Sequence, residues 1–103
     1  MTLELLETIL SELGLPHAYF QFKSKPASIP YIAYFEDEKV GMFADDVVYH
    51  FEPRFAVELY SKVKAFDIEN ELIALFGKYE VVWTGGVSAW IESEKMFQTV
   101  FYC

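Results

Sequence analysis

The hydrophobic pattern predicts a helix at the start of the chain. Leucine and isoleucine recur there every three or four residues with glutamates between them, which is the spacing of an amphipathic helix. The apolar positions are Leu3, Leu6, Ile9, Leu10 and Leu13. Thr2 is a suitable N-cap, and Gly14 followed by Pro16 is expected to end the helix.

After this helix, tyrosine and phenylalanine replace leucine, which favours strands. Residues 19–22 predict a short strand, and the prolines and serines of residues 23–30 predict a loop. The aromatic run at residues 31–35 predicts a second strand, which the charges at residues 36–39 are expected to break. Residues 41–46 are compatible with a flap or with a short strand.

Residues 47–60 form the longest strand candidate in the sequence. Phe55, Val57 and Leu59 occupy alternate positions, so one face of this strand is expected to be buried. The positions expected on the other face are Arg54, Glu58 and Tyr60. Pro53 has no N–H to donate to a ladder, and it therefore predicts an edge position or a bulge.

A second, shorter helix is predicted after Asp67, and Gly77 is expected to end it. Its position follows from apolar residues that recur at helical spacing. These residues are Ile68, Leu72, Leu75 and Phe76.

The last quarter of the chain has the composition of strands. Residues 79–84 predict a strand that bends at Gly85-Gly86 and resumes over residues 87–91. Residues 92–95 predict a turn. Residues 96–102 predict a final strand, in which Phe97, Thr99 and Phe101 are expected on one face and Met96, Gln98, Val100 and Tyr102 on the other.

These elements give the order α-β-β-β-α-β-β within a single domain that covers residues 1–103. Helices this short need a sheet to pack on. We therefore expect an α+β fold in which a mostly antiparallel sheet carries two helices packed on one face. The expected core consists of Leu6, Leu10, Leu13, Phe55, Val57, Leu59, Leu72, Leu75 and Phe76.

Hydrophobic residues make up 53% of the chain and aromatic residues 18%, which is more apolar surface than so small a core can absorb. Surplus apolar surface indicates contact with a partner. The alternative is that large side chains simply stay half exposed, as they do on many proteins. The candidate subunit or partner contacts are Tyr31, Tyr34, Phe35, Phe43, Phe97, Phe101 and Tyr102.

The charge balance argues against binding to nucleic acid. Sixteen acidic residues against eight basic ones give a net charge of −8, and Arg54 is the single arginine. Cys103 is the single cysteine, so an internal disulfide is excluded. The sequence contains no apolar run of the roughly 20 residues that a membrane helix needs, and no signal segment opens it. We therefore expect no membrane contact and no secretion.

Motifs for catalysis or for metal binding are missing from the sequence. It contains no phosphate-binding glycine loop, no CxxC and no HExxH. His17 and His50 have no second ligand at metal-site spacing. The acidic residues 36–38 and 45–46 could bind a divalent cation, but a solvated hairpin is the better interpretation because the calcium-loop spacing is missing. Glu92 and Glu94 have no polar companions. We predict no catalytic residues, no cofactor and no metal.

Several stretches, taken in order and spacing, resemble the small tail-terminator or tail-completion proteins of long-tailed phages and prophages of Gram-positive bacteria. The stretches are residues 13–20, 30–34, 55–62 and 90–102. The segment Glu58-Leu59-Tyr60-Ser61 before the second helix and the closing segment 92–98 contribute most to the likeness.

The resemblance implies a homo-oligomeric ring, typically of six copies, with an α/β fold. Such a ring caps the tail tube at the head-proximal end of the virion and offers a docking surface to the head connector. It implies no catalytic residues. The competing hypothesis is an acidic regulatory module, such as a DNA mimic that occupies a basic groove on a host protein. The net charge favours a mimic, but the acids cluster in turns and on helix faces instead of forming an array.

Overall fold

The order of elements agrees with the predicted order α-β-β-β-α-β-β. The computed structural model describes residues 1–20, 29–44 and 47–103, with the backbone alone at residues 42–44 and 47–51. Within these residues the elements are α1 (Leu3–Leu13), β1 (His17–Tyr19), β2 (Tyr31–Ala44), β3 (Val47–Ser61), α2 (Phe66–Lys78), β4 (Thr84–Ile91) and β5 (Met96–Tyr102).

Both ends of helix α1 follow the predicted capping pattern. The Thr2 hydroxyl accepts a hydrogen bond from the Leu5 N–H at 3.2 Å, which satisfies one of the free donors of the first turn. Gly14 adopts the left-handed conformation with φ of 83°, and its N–H donates to the Leu10 carbonyl. The helix therefore ends where a residue without a Cβ can reverse the chain.

Helix α2 ends differently from the prediction. Gly77 lies inside the helix, and Glu80 is the residue that adopts the left-handed conformation, with φ of 56°. The Val81 N–H donates to the Phe76 carbonyl and the Glu80 N–H to the Gly77 carbonyl, which is the Schellman pattern of a helix end. Asp67 lies in the first turn of α2, where it interacts favourably with the helix dipole.

The strands form one five-stranded sheet, among the described residues, in the order β1-β2-β3-β5-β4. Strand β1 runs parallel to β2, and the other pairs are antiparallel. Tyr34, Val57 and Phe101 lie side by side across the three central strands. Because side chains alternate between faces along a strand, this register fixes which residues point toward the helices.

The core lies between the helices and one face of the sheet. Its buried residues are Leu6, Ile9, Leu10, Ile32, Tyr34, Phe55, Val57, Leu59, Leu72, Phe76 and Phe101. The predicted core is confirmed except that Leu13 and Leu75 are partly buried and pack against its margin. Neither described helix is long and apolar enough to cross a membrane.

Strand β2 does not break at the charged residues 36–39, contrary to the prediction. It continues to Ala44, with an irregularity in pairing between Glu36 and Glu38. The charges are tolerated because Arg54 on the adjacent strand forms ion pairs with Asp37 and Glu38, and Lys39 forms one with Glu36. The acidic residues 45–46, like the predicted strand residues 21–22, lie outside the described part of the chain.

Residues 79–83, which were predicted to begin a strand, are not part of one in the structure. Strand β4 begins only at Thr84, and Val81 and Trp83 instead pack against the core at the end of α2. The predicted bend at Gly85-Gly86 is present as a shift in register between Gly85 and Val87. The edge character of Pro53 is confirmed. Pro53 pairs with Lys39 on β2. On its other side it has no strand among the described residues, because the contact between β3 and β5 ends at Phe55 and Cys103.

The buried position of Leu72 predicts a large loss of stability on truncation. Leu72→Ala is expected to lower the free energy of unfolding by about 2 to 5 kcal/mol, because it leaves a cavity in the core. Val63→Ala is the control, since Val63 is 71% exposed and should change stability by less than about 0.5 kcal/mol. Urea denaturation of both variants gives the comparison. Equal, small effects would contradict the burial of α2 against the sheet.

Candidate interaction surface

The second face of the sheet carries neither of the described helices. We call it the open face. It consists of Tyr31, Ala33, Phe35, Ala56, Glu58, Tyr60, Val87, Ala89, Ile91, Met96, Gln98, Val100 and Tyr102, which occupy the alternate positions of β2, β3, β4 and β5. Apart from Glu58, Gln98 and the hydroxyl groups of the three tyrosines, these side chains are aliphatic or aromatic. The open face is therefore largely apolar.

Packing within the open face is lateral, from one side chain to the next. Tyr31 and Tyr60 stack with ring centroids 5.0 Å apart and an angle of 19° between the planes. The Arg54 guanidinium lies 4.8 Å from the centre of the Tyr102 ring, within the range of a cation–π contact. These contacts leave Tyr31, Tyr60 and Tyr102 half-buried in the single chain. The remaining surface of Tyr60 and Tyr102 is available to a partner.

A hydrogen-bonded trio occupies the centre of the open face. The Tyr60 hydroxyl donates to Glu58 Oε1 at 3.2 Å, and Gln98 Nε2 donates to Glu58 Oε2 at 3.1 Å and to the Tyr60 oxygen at 2.8 Å. Burial raises the pKa of Glu58 above its ordinary value and raises that of Tyr60 to about 12. Because these groups bind one another, a partner can cover the face without leaving them unsatisfied.

The predicted contact residues divide between the two faces of the sheet. Tyr31, Phe35 and Tyr102 lie on the open face, as a contact requires. Phe97 lies on the helix face, opposite Ser61 in the register, and contacts Trp90 edge to face. The side chain of Phe43 lies outside the described part of the structure.

Tyr34 and Phe101 are corrections to the predicted contact set. Both belong to the core, with 4% and 0% of their surface exposed. The Tyr34 hydroxyl donates to Glu7 on α1 at 3.2 Å, and the Phe101 ring contacts Phe76 and Trp83. The error has a simple cause: β2 and β5 are aromatic at both odd and even positions, and only the position of the helices decides which set is buried.

The β2–β3 hairpin extends beyond the rest of the sheet as a two-stranded ribbon. We define the ribbon as residues 37–44 and 47–54, which pair from Glu38 with Arg54 to Ala44 with Val47. Its strands span roughly 25 Å at about 3.3 Å per residue. The molecule is accordingly elongated, measuring 49 × 29 × 24 Å. A two-stranded ribbon is only marginally stable alone, so this feature is typical of an arm that binds a partner.

The candidate chemistry in the sequence has ordinary structural partners. His17 Nδ1 lies 2.8 Å from the Leu15 carbonyl, as a turn residue does. Glu92 binds Lys95 and the Trp90 indole N–H, which lower the pKa of this carboxyl. The described residues include no group of three His, Cys, Asp or Glu side chains that could hold a metal ion. The side chain of His50 is not described.

Cys103 lies beside a shallow cleft at the root of the ribbon. The cleft has a volume of about 390 Å³, and Met1, Leu5 and Val81 contribute to its lining. Burial raises the pKa of the Cys103 thiol to about 11. Because the thiolate is the reactive form, this cysteine is poorly suited to nucleophilic chemistry at neutral pH.

A polar cluster beneath helix α2 was not predicted from the sequence. Lys64 Nζ donates to both Glu69 carboxylate oxygens at 2.7 and 2.6 Å and to Ser88 Oγ at 2.6 Å. Ser88 Oγ in turn lies 2.6 Å from Thr99 Oγ1. In this contact Lys64 Nζ is the donor and Ser88 Oγ the acceptor. The cluster therefore joins the loop before α2 to strands β4 and β5.

Comparison with models of known protein families and with curated proteins finds no match to this chain. Its function is therefore inferred from the open face and the ribbon, together with the resemblance described above.

The environment of Glu58 predicts an unusual titration. The pKa of its carboxyl should lie above the ordinary value of a glutamate because of burial, whereas the pKa of Glu92 should lie below that value because Lys95 and Trp90 donate to it. Protonation of Glu58 therefore favours the folded chain below its unfolded pKa, and this contribution is lost as the pH rises through its folded pKa. Carbon-detected NMR titration measures both groups in one sample. A pKa of Glu58 at or below that of Glu92 would show that the hydrogen bonds from Tyr60 and Gln98 outweigh desolvation.

Proposed function

We propose that this protein is a structural subunit of the tail-terminator type. Copies of the chain form a ring that caps the tail tube of a long-tailed phage or prophage and presents a docking surface for the head. The observation that carries this proposal is the open face, an apolar sheet surface that the two helices leave uncovered. Such a surface on a small domain is typical of a subunit that is completed by its neighbours.

Several separate features favour a ring over a symmetric pair. The open face, the ribbon and the exposed edge of β4 are three different surfaces of one chain. When unlike surfaces of identical chains meet head to tail and the rotation closes, a ring results. The resemblance to tail terminators supplies the expected number of copies, six, and the expected partners, the tail tube protein and the head connector.

The net charge of −8 is compatible with this role. A ring at the head-proximal end of the tail surrounds the path of the DNA. An acidic inner surface repels phosphates and lets the DNA pass without being gripped. The protein therefore has no need of the basic patch that a nucleic-acid-binding protein shows.

The alternative role as an acidic DNA mimic is less well supported. A mimic needs free carboxylates on its surface, whereas several carboxylates here are bound by basic side chains of the same chain. The ion pairs of this kind are Glu12–Lys78, Glu69–Lys64, Glu92–Lys95 and Asp37–Arg54. A catalytic role is not proposed, because the Lys64–Ser88 contact and Cys103 both lack the chemistry of an activated nucleophile.

The proposal predicts a defined copy number in the virion. Quantitative mass spectrometry of purified particles should find about six copies of this chain per tail, at the head-proximal end in electron micrographs. Removal of the gene should give tails of irregular length that do not join heads. A single copy per tail, or normal tails joined to heads without this protein, would contradict the terminator role. Monomeric protein bound to a host DNA-binding protein would instead support the mimic.

A further inference from the structure

The outer edge of strand β4 is unguarded. Strand β4 ends the sheet order, so among the described residues it has a neighbouring strand on one side only. Its eight residues, Thr84–Ile91, include neither a charged residue nor a proline. Sheet edges are commonly protected by lysine, by proline or by a covering element, because free N–H and C=O groups invite another strand.

The part of this edge that can accept a strand is well defined. The shift in register between Gly85 and Val87 interrupts the start of β4, and pairing with β5 is regular from Val87 to Ile91. Val87 is 75% exposed and Trp90 is 46% exposed, so the edge is accessible from both faces of the sheet. Five consecutive residues are the usual length of a paired strand.

The other end of the sheet is less suitable. Strand β1 has only three residues, His17–Tyr19, and the next residue, Phe20, adopts a left-handed conformation with φ of 66°. A residue in that conformation interrupts an extended strand. An added strand of useful length therefore finds a better partner in β4 than in β1.

The ribbon supplies a strand of the required kind. Its two strands pair with each other from Glu38–Arg54 to Ala44–Val47. Strand β5 does not accompany β3 along the ribbon, and β1 accompanies β2 only at Ile32, Ala33 and Tyr34. The ribbon thus projects from its own sheet with main-chain groups that can extend a second sheet.

Electrostatic repulsion limits which surfaces of one copy can bind the ribbon of another copy. In the sequence the ribbon has more acidic residues than basic ones, and the whole chain carries a net charge of −8. Two such chains repel each other wherever acidic surfaces meet. The uncharged edge of β4 avoids this repulsion, so it is the favourable place for the ribbon of a neighbouring copy.

We propose that the ribbon of one copy adds as further strands to the β4 edge of the next copy. This inference rests on the proposed ring and specifies its contact. Each chain then has one donor surface and one acceptor surface, and successive additions are head to tail. Because the acceptor and donor lie at different places on the chain, removing one of them leaves the other functional.

The test uses variants that lack either the acceptor or the donor. Val87→Glu and Trp90→Glu place a charge on the β4 edge, on the open face and on the helix face respectively. The donor is removed by replacing residues 41–51 with an Asn-Gly turn, which keeps the Val40–Glu52 pair. Val63→Glu is the matched control, because Val63 is 71% exposed and lies in the loop before α2. Circular dichroism confirms that each variant is folded.

Association is measured by sedimentation equilibrium at protein concentrations up to about 1 mM, because weak contacts become populated at such concentrations. The wild type and Val63→Glu should associate equally. Both edge variants and the shortened-ribbon variant should each be monomeric alone. An equal mixture of Val87→Glu with the shortened-ribbon variant should form a 1:1 dimer and nothing larger, since one intact donor meets one intact acceptor.

Other outcomes overturn the proposal in distinguishable ways. A wild type that is monomeric at about 1 mM excludes this contact between free copies. Association that is lost in Val87→Glu but kept in Trp90→Glu assigns the contact to the open face instead of the strand edge. A mixture without dimers excludes head-to-tail addition. None of these results excludes a ring of this chain in assembled tails. The proposed function is therefore tested separately, by the copy number in the virion.

Discussion

The two short helices cover only one of the two faces of the sheet. Helices α1 and α2 have 11 and 13 residues, so at about 1.5 Å per residue they are roughly 16 to 20 Å long. They suffice to bury Val57, Leu59 and Phe101 at the centre of one face. On the opposite face, which neither of the described helices covers, Tyr31, Tyr60 and Tyr102 contact neighbouring side chains. The uncovered apolar face of the sheet is the result of this imbalance.

The open face has features that stabilise it in a free chain and features that favour its burial. Ring stacking and the Glu58–Tyr60–Gln98 trio satisfy polar groups and hold the side chains in place. Covering each 100 Å² of apolar surface contributes roughly 2.5 kcal/mol, from which ordering costs are subtracted. Partial exposure is therefore tolerated in a monomer, while an assembly gains from covering the same side chains.

The sequence was sufficient to predict the two helices, the order of helices and strands along the chain, and most of the core, because these depend on local periodicity. Thr2 and Gly14 acted as the caps that their chemistry indicates. Interactions between distant residues were not predictable. Strand β2 continues through its charged segment because Arg54, on the adjacent strand, pairs with Asp37 and Glu38. Likewise, no local sequence pattern predicts that Lys64 contacts both Glu69 and Ser88.

The candidate surface was predictable only in part. Aromatic residues at both odd and even positions of a strand indicate that both faces are apolar, but they do not show which face receives the helices. Tyr34 and Phe101 were consequently assigned to a contact surface although they are buried in the core. The ribbon was missed because the acidic residues at 36–38 were expected to end its first strand.

Hydroxyl-radical footprinting of the protein, free and in assembled tails, tests most directly whether assembly covers the open face. Tyr60 and Tyr102 are half-buried in the single chain and should be oxidised in the free protein. We predict strong protection of both tyrosines in the assembled particle. A reference peptide added to each sample corrects for differences in radical dose between the free and the assembled protein. Equal oxidation of Tyr60 and Tyr102 in free and assembled protein would contradict the account.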